Sequence, residues 1–150
     1  MNYIMVKALL KNINDILIFE GEYLNGKRNG KGKEYKRSYF YNSKPNLIFE
    51  GEHLNGKWWN GKGYDGNNNI SFEIKDGKGF IKEYDLNGTL KFEGEYVNGE
   101  RNGKGKRYYK EYNYEENSGY YAYEGEYLHG KKMEKGKNII NFQIFLIKYH

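Results

Sequence analysis

The stretch FEGEYLNGKRNGKG, residues 19–32, returns almost unchanged as FEGEYVNGERNGKG, residues 92–105. Partial copies begin at Phe49, as FEGEHLNGKWWNGKG, and at Tyr123, as YEGEYLHGKKMEKGK. A protein built around one unique core has no physical reason to repeat a phrase of this length. A stack of similar units has one, because every unit must present the same face to its neighbour. The repetition therefore predicts a repeat architecture.

The spacing of the copies sets the boundaries of that architecture. An aromatic head begins each copy, and in chain order the five heads are Phe19, Phe49, Phe72, Phe92 and Tyr123. Their spacings of 30, 23, 20 and 31 residues are typical of arrays in which loops absorb the differences. The third copy is degenerate, since FEIKDGKGF lacks six residues of the phrase. We expect a repeat array over residues 19–137, an N-terminal capping segment over 1–18 and a C-terminal capping strand over 138–150.

Each copy alternates with a period of two, which indicates a β-strand with one buried face. In residues 19–23 the aromatic rings share one face with Gly21, and two glutamates share the other face. Asn25-Gly26 supplies a tight turn, because both residues tolerate positive φ. The chain then returns through a Gly-Lys-Gly-Lys segment, residues 30–33. Each copy is therefore predicted to be a β-hairpin.

The two faces of the hairpin are predicted to have different roles. Glycine weakens a strand, so glycines at fixed places need a reason, and we expect an aromatic ring of a neighbouring strand to lie over them. On the other face, cross-strand pairing of Glu20 and Glu22 with Lys31 and Lys33 would fix the register. Further turns connect the copies, so the chain is predicted to be all-β, an elongated single-layer antiparallel meander of repeated β-hairpins.

The N-terminal segment leaves two interpretations open. Met5, Leu9, Ile13 and Ile16 keep a helical spacing. The alternative is two strands around a turn at residues 12–15, and we favour it because it resembles the later connections between copies. No small-residue cleavage site follows this apolar segment, so we do not predict a signal peptide.

The composition argues against several classes of function. The chain has no cysteine, which excludes disulfides, thiolate nucleophiles and cysteine-bound zinc. Its histidines, His53, His129 and His150, are too scattered for a metal site. Paired glutamates recur from copy to copy, whereas a catalytic carboxylate pair would be unique. The Gly-x-Gly segments lack the Lys-Ser/Thr ending of a phosphate-binding loop. We therefore predict that the protein is not an enzyme and needs neither cofactor nor metal.

These phrases resemble the MORN (membrane occupation and recognition nexus) repeat, whose pattern is close to Y-E-G-E-W-x-N-G-K-x-x-G-x-G in units of about 23 residues. The aromatic head, Glu-Gly-Glu, Asn-Gly-Lys and the Gly-x-Gly return occur in that order, and the resemblance extends from Phe19 to Lys137. It implies a twisted single-layer array of β-hairpins with an aromatic groove. It also implies a protein-binding or dimerising scaffold in the cytoskeleton and at membranes, with phosphoinositide binding as a further proposed role.

The candidate partner-binding residues are Tyr23, His53, Trp58, Trp59, Tyr96 and Tyr127. Four of them stand at equivalent positions, where the MORN repeat often has tryptophan. They are predicted to line a groove for an extended segment of a protein partner, since exposed aromatic patches mark interaction sites. The alternative is that they only pack over glycines of the adjacent hairpin. Trp58 and Trp59 point to opposite faces of a strand, so one of them is either a candidate hot spot or part of a bulge without function.

A second set of candidates is basic and consists of Lys27, Arg28, Lys131 and Lys132. Several such charges acting together could hold an anionic leaflet, each contributing about 1 kcal/mol. The alternative is that they are solvated or paired with glutamate. Nucleic acid is the weaker candidate partner despite the net charge of +5, because the tyrosines that would stack on bases are already needed for the fold.

The sequence therefore predicts a non-catalytic scaffold or assembly module that binds a protein partner through an aromatic-lined hairpin array. The alternative is a tether to anionic, phosphoinositide-containing membranes through its basic loops. We expect a cytoplasmic protein, either free or associated with the cytoskeleton or a membrane. The apolar segments IMVKALL and IINFQIFLI either cap the array or pair two copies, and we favour a homodimer.

Overall fold

The structure is a computed structural model that describes residues 4–11, 15–38, 44–111 and 119–141. Side chains are described for residues 17–37, 44–109 and 122–137. Within these residues the chain forms strands joined by turns, without any helix. The prediction of an all-β protein is confirmed.

The described part of the chain forms eleven strands. They are β1 (Ile4–Lys11), β2 (Asp15–Leu24), β3 (Lys27–Ser38), β4 (Asn46–Leu54), β5 (Lys57–Tyr64), β6 (Ile70–Ile74), β7 (Gly79–Tyr84), β8 (Leu90–Val97), β9 (Glu100–Glu111), β10 (Gly119–Leu128) and β11 (Lys131–Asn141). The N-terminal segment thus forms strands and not a helix, although part of its predicted turn, residues 12–14, lies outside the described residues. Of the predicted C-terminal capping strand, residues 142–150 lie outside them as well.

The strands form two antiparallel sheets in which the spatial order follows the chain order. One sheet contains β1 to β6 and the other contains β7 to β11. This order confirms the predicted meander of hairpins, but the meander is divided between β6 and β7. There the pairing shrinks to one bridge between Lys75 and Lys78, around the turn Asp76-Gly77. The division falls in the degenerate third copy.

Among the described residues, four hairpins and the turn between the two sheets share one kind of two-residue loop, in which both residues have positive φ. The pairs are Asn25-Gly26, Asn55-Gly56, Asp76-Gly77, Asn98-Gly99 and His129-Gly130. In the first pair φ is 51° at Asn25 and 74° at Gly26. Positive φ at both positions gives the loop a twist that matches the twist of the strands. The turn chemistry predicted from the Asn-Gly pairs is therefore confirmed.

The aromatic head of a full copy lies over glycines of its own hairpin. Phe92 packs against Gly94 and Gly105, which are paired across β8 and β9. A Cβ atom at Gly94 would lie 2.8 Å from the Phe92 ring and 2.7 Å from the Gly105 Cα atom. The same arrangement recurs under Phe19, Phe49 and Tyr123. The expectation that the glycines make room for rings is confirmed, and it explains why these heads are buried.

The opposite face carries glutamate and lysine, but their contacts differ from the predicted pairs. Lys33 stands opposite both Glu20 on β2 and Glu50 on β4. Its ammonium group pairs with Glu50, at 2.9 Å. Glu22 stands at a bulge, where its carboxylate accepts a hydrogen bond from the backbone N–H of Lys31 at 3.3 Å. The charge pairing of Lys33 therefore joins successive hairpins instead of closing one hairpin.

A buried cluster joins the two sheets at the third copy. Its members are Phe49, Phe72, Ile74 and Ile81, with Trp58 and Tyr96 packed against them. Phe49 and Phe72 belong to the first sheet and Ile81 to the second, so this contact compensates for the interrupted ladder. Burial of such side chains contributes roughly 1.5–3 kcal/mol each.

Candidate protein-binding site

Aromatic side chains form a continuous row across the first sheet. Tyr23 meets Phe19 edge to face, with ring centroids 5.3 Å apart. His53 lies between Phe19 and Phe49 in the same geometry, at 4.9 Å and 5.2 Å. Trp58 stacks on Phe49 at 4.8 Å, with an interplanar angle of 10°. Edge-to-face and stacked pairs are the favoured aromatic arrangements, so the row is a packed layer.

A second row crosses the other sheet. Phe92 lies 6.2 Å from Tyr96 and 5.2 Å from Tyr127, and Tyr127 lies 6.1 Å from Tyr123, all edge to face. Tyr96 also packs against the cluster that joins the sheets. The two rows therefore meet at Tyr96.

The residue nine positions after a head covers the ring of that head. In three copies it is a cation, with Arg28 over Phe19, Arg101 over Phe92 and Lys132 over Tyr123. The charged groups lie 4.7, 4.2 and 3.6 Å from the ring centroids. In the second copy Trp58 takes this place. Since a cation is attracted to a ring face and its stem buries apolar surface, the position stabilises the rows.

Glu34 is a buried carboxylate at the centre of the first row. Its Oε1 atom accepts hydrogen bonds from Arg28 Nη1 at 2.6 Å, His53 Nε2 at 2.9 Å and Trp58 Nε1 at 3.0 Å. Burial alone would raise the pKa of the Glu34 carboxyl, but the hydrogen bond from His53 and the charge of Arg28 outweigh burial and lower it. Glu34 therefore stays ionised and links two successive hairpins.

Glu83 occupies the corresponding place in the second sheet, opposite the head Phe92. The Tyr96 hydroxyl donates to its Oε1 atom at 2.6 Å, and Arg101 donates to both oxygens at 2.9 and 2.6 Å. Burial and the neighbouring carboxylate both raise the pKa of Tyr96, so its hydroxyl keeps the proton that it donates. Tyr96 and Arg101 stand four and nine positions after the head of the fourth copy. The donors His53 and Trp58 stand at the same two spacings after the head of the second copy.

In each copy, one position on the preceding strand faces the aromatic head, and we call it the acid position. It is Glu34 for the second copy and Glu83 for the fourth. Sequence reasoning missed both residues, because glutamate is common throughout the chain. For Glu34 the sequence does contain a signal, because it stands two residues after Gly32. Residues two apart on a strand share a face, so Glu34 belongs to the face of the rings and not to the charged face.

A cleft of about 270 Å³ opens beside these carboxylates and is lined by residues of both sheets. Its aromatic walls are Trp58, Tyr64, Phe72 and Tyr84. Its charged groups are Glu34, Asp65, Glu83 and Asp85, together with Lys36 and Lys82. Leu86, half-buried in the turn after β7, also lines the cleft. Mostly apolar concave sites with a few polar groups are the usual form of a binding site.

The predicted aromatic residues are brought into the rows but are buried to different degrees. His53 and Tyr127 are buried, at 3% and 4% exposure. Tyr23, Trp58 and Tyr96 are half-buried, and Trp58 reaches the cleft. Residues in the rows therefore pack the fold, while Trp58 also lines the cleft.

Trp59 lies outside the row because it is the bulge residue of β5. His53 pairs with Trp58 and Glu52 pairs with Asn60, so Trp59 has no residue opposite it on β4. It is half-buried, and its ring packs against Gly77, whose N–H donates to the Trp59 carbonyl at 2.8 Å. Trp59 thus links the second hairpin to the turn between the two sheets.

The structure does not bring the four basic candidates together. Lys27 and Arg28 begin β3 in the first sheet, whereas Lys131 and Lys132 begin β11 at the edge of the second sheet. Arg28 is held by its ion pair with Glu34. The three lysines are exposed.

Two further findings concern metals and membranes. Groups of His, Cys, Asp and Glu that could hold a metal ion are absent from the part of the chain that the structure describes. The same residues include no helix with the length and apolar character needed to cross a membrane.

Comparison with protein-family models matches the MORN repeat at residues 19–39, 92–114 and 123–137. The matched segments begin at three of the aromatic heads, and their hairpins are those of the ring rows. A search among curated proteins found no match. MORN repeats are non-catalytic modules that generally serve interactions with proteins or membranes. The chain contains MORN repeats at these three segments.

Proposed function

We propose that the protein is a non-catalytic assembly module that binds a protein partner through the cleft beside Trp58. The observation that carries the proposal is the composition of this cleft, in which four aromatic walls surround charged groups held in fixed positions. Aromatic side chains in partly desolvated pockets are the common hot spots of protein interfaces. MORN repeats generally serve such interactions, which supports the same reading.

The charges of the cleft indicate what the partner presents to it. Glu34, Glu83 and Asp85 already pair with Arg28, Arg101 and Lys91, so among the described residues of the lining Asp65 is the carboxylate without an ion pair. Electrostatic complementarity favours a positively charged side chain of the partner. The aromatic walls would pack along its aliphatic stem and attract its charged end. We therefore expect an extended partner segment that places a lysine or an arginine in the cleft.

Leu86→Arg tests this proposal, because it adds bulk and a competing cation to the cleft from a turn. Leu54→Arg is the matched control, since Leu54 is 38% exposed and does not line the cleft. In a pull-down from a lysate of the native cell, wild type and Leu54→Arg are expected to retain a protein that Leu86→Arg retains at least about tenfold less, a loss of about 1.4 kcal/mol in binding free energy. Equal retention by all three proteins would contradict the proposal.

Membrane tethering is the second candidate, and the lysines of β11 favour it. Lys131, Lys132, Lys135 and Lys137 are exposed and form no ion pair with the described residues. They lie on an edge strand, where a flat surface can approach them. Near an anionic leaflet each would contribute about 1 kcal/mol. Most other lysines alternate with glutamate, so the total attraction is small.

Sedimentation with phosphoinositide-containing vesicles tests the tether. Salt shortens the Debye length from about 10 Å at 0.1 M to about 3 Å at 1 M. We therefore expect weak binding that disappears near about 0.15 M salt. Tight binding at that salt concentration, lost in a Lys131→Glu, Lys132→Glu double variant, would make the tether the better account.

A further inference from the structure

The acid position of the fifth copy holds an arginine. Arg107 on β9 faces the head Tyr123, as Glu34 on β3 faces the head Phe49. The substitution replaces an acceptor of hydrogen bonds with a group that only donates. The fifth copy therefore keeps the framework of the carboxylate clusters without the carboxylate.

The neighbours of Arg107 show what is missing. Arg101 and Arg107 stand nine and fifteen positions after the head Phe92. At the same two spacings after the first head, Phe19, the chain has Arg28 and Glu34, which form an ion pair. In the fourth copy both positions are cationic. Arg101 is engaged with a carboxylate on its other side, whereas Arg107 is exposed and has no ion pair with the described residues.

Tyr127 carries the second, independent observation. It is 4% exposed, and its hydroxyl has no hydrogen-bond partner in the described part of the structure. It stands four positions after its head, where Tyr96 donates its hydroxyl to Glu83. Burial raises the pKa of Tyr127, while the charges of Arg101 and Arg107 act against that rise. The hydroxyl is thus a buried donor within the field of two guanidinium groups and without an acceptor.

Lys132 completes the group of donors. It stands directly opposite Tyr127 on β11, and its ammonium group lies 3.6 Å from the centroid of the Tyr123 ring. Like Arg107, it is exposed and has no carboxylate partner among the described residues. Arg107 thus holds the acid position of the fifth copy, and Tyr127 and Lys132 hold its two donor positions. The Arg107 guanidinium lies over the Tyr109 ring, 5.1 Å from the ring centroid.

We propose that Arg107, Tyr127 and Lys132 form a binding site for a carboxylate on an acidic side chain of a protein partner. The inference rests on the proposed function and adds a second, oppositely charged contact to it. A carboxylate can take two parallel hydrogen bonds from Arg107 and a further one from the Tyr127 hydroxyl. Because the two cationic side chains are long and exposed, they can turn to admit it. The site favours a carboxylate because the equivalent positions of two other copies already hold one.

Arg107→Glu tests the site in the full chain, because it supplies the missing carboxylate from within. The variant is expected to satisfy Tyr127 as Glu83 satisfies Tyr96, and to raise Tm by about 3 °C. It is also expected to weaken binding of a fluorescein-labelled decaglutamate peptide at least about tenfold, measured by anisotropy near about 0.15 M salt. Lys27→Glu makes the same change of net charge at an exposed position outside the site, and it should weaken binding less than about twofold.

Tyr127→Phe provides a second variant that should fold normally. Removing a buried hydroxyl without a partner is expected to leave Tm unchanged or raise it, whereas Tyr96→Phe should lower it by depriving Glu83 of a donor. Tyr127→Phe should still weaken decaglutamate binding about threefold or more. A variant that is no less stable and yet binds less tightly is a result that a purely structural role of Tyr127 would not give.

Three outcomes would overturn the inference. The first is absence of decaglutamate binding to the wild type, and the second is equal weakening by Arg107→Glu and Lys27→Glu, which would report net charge alone. The third is an Arg107→Glu variant that still binds the decaglutamate peptide but no longer binds phosphoinositide vesicles, which would assign the site to lipid. If Arg107→Glu has no effect while capture of the partner still depends on Leu86, this inference fails and the proposed function stands.

Discussion

Glu34→Ala is expected to destabilise the protein by about 3–5 kcal/mol, because it leaves a largely buried cation, Arg28, without its partner. The Arg28 guanidinium, the His53 ring and the Trp58 indole would each lose their acceptor on Oε1. Glu50→Ala is the matched control, since Glu50 forms an exposed ion pair with Lys33 and should cost less than about 1 kcal/mol. Denaturant unfolding at neutral pH measures both free energies, and equal losses would refute a special role for Glu34.

The same residue predicts how stability depends on pH. The pKa of Glu34 is lowered on folding, so its contribution is fully present above its unfolded pKa of about 4.3. That contribution is lost as the pH falls through the lower pKa of the folded state. The difference in unfolding free energy between wild type and Glu34→Ala should therefore narrow on acidification below about pH 4.3. A difference that stays constant down to acid unfolding would show that the carboxylate charge is not what stabilises the cluster.

Gly94→Val is expected to cost about 3 kcal/mol, at the upper end for overpacking, because backbone blocks the new side chain. A Cβ atom there would lie 2.7 Å from both the Gly105 Cα atom and the Lys104 carbonyl oxygen. Gly26→Asn is the control for adding a side chain to a glycine. Nothing lies within 4 Å of a Cβ atom at Gly26, and asparagine tolerates its positive φ, so the cost should stay below about 1 kcal/mol. Thermal melts with similar losses for both variants would contradict the account of rings over glycines.

The hairpins could be predicted because their causes are local. The period of two, the Asn-Gly turns and the recurring glycines each act over a few residues, and all of them have the predicted effect. The division into two sheets was not predicted. It depends on the pairing between β6 and β7, which is reduced to a single bridge, and the repeat pattern gives no measure of that pairing.

The register of the second hairpin shows a further limit of repeat alignment. Aligning the Gly-Lys-Gly phrases equates Gly63 with Gly32, but the structure pairs Gly51 with Gly61, as it pairs Gly21 with Gly32. The strand is offset because the bulge at Trp59 is shorter than that of the first hairpin. Gly63 then lies under the ring of the next head. A bulge changes register without leaving a clear trace in a single sequence.

The candidate site was predicted in part, for a related reason. The aromatic residues were found because they repeat, yet repetition gave no information on their depth, and His53 and Tyr127 are buried. Glu34 was missed because its role depends on His53, nineteen residues away, and on the strand that happens to lie beside it. Contacts of this kind are set by packing between copies and not by the pattern within one copy.

Photo-crosslinking from the cleft tests the central claim, that a protein partner binds beside Trp58, most directly. A benzophenone amino acid would replace Leu86, which lines the cleft, and in a matched protein Leu54, which is exposed elsewhere. The account predicts that irradiation in native lysate gives a discrete protein adduct from position 86 and none from position 54. It also predicts that the crosslinked partner peptide contains a lysine or an arginine. No adduct from position 86, or the same adducts from both positions, would contradict it.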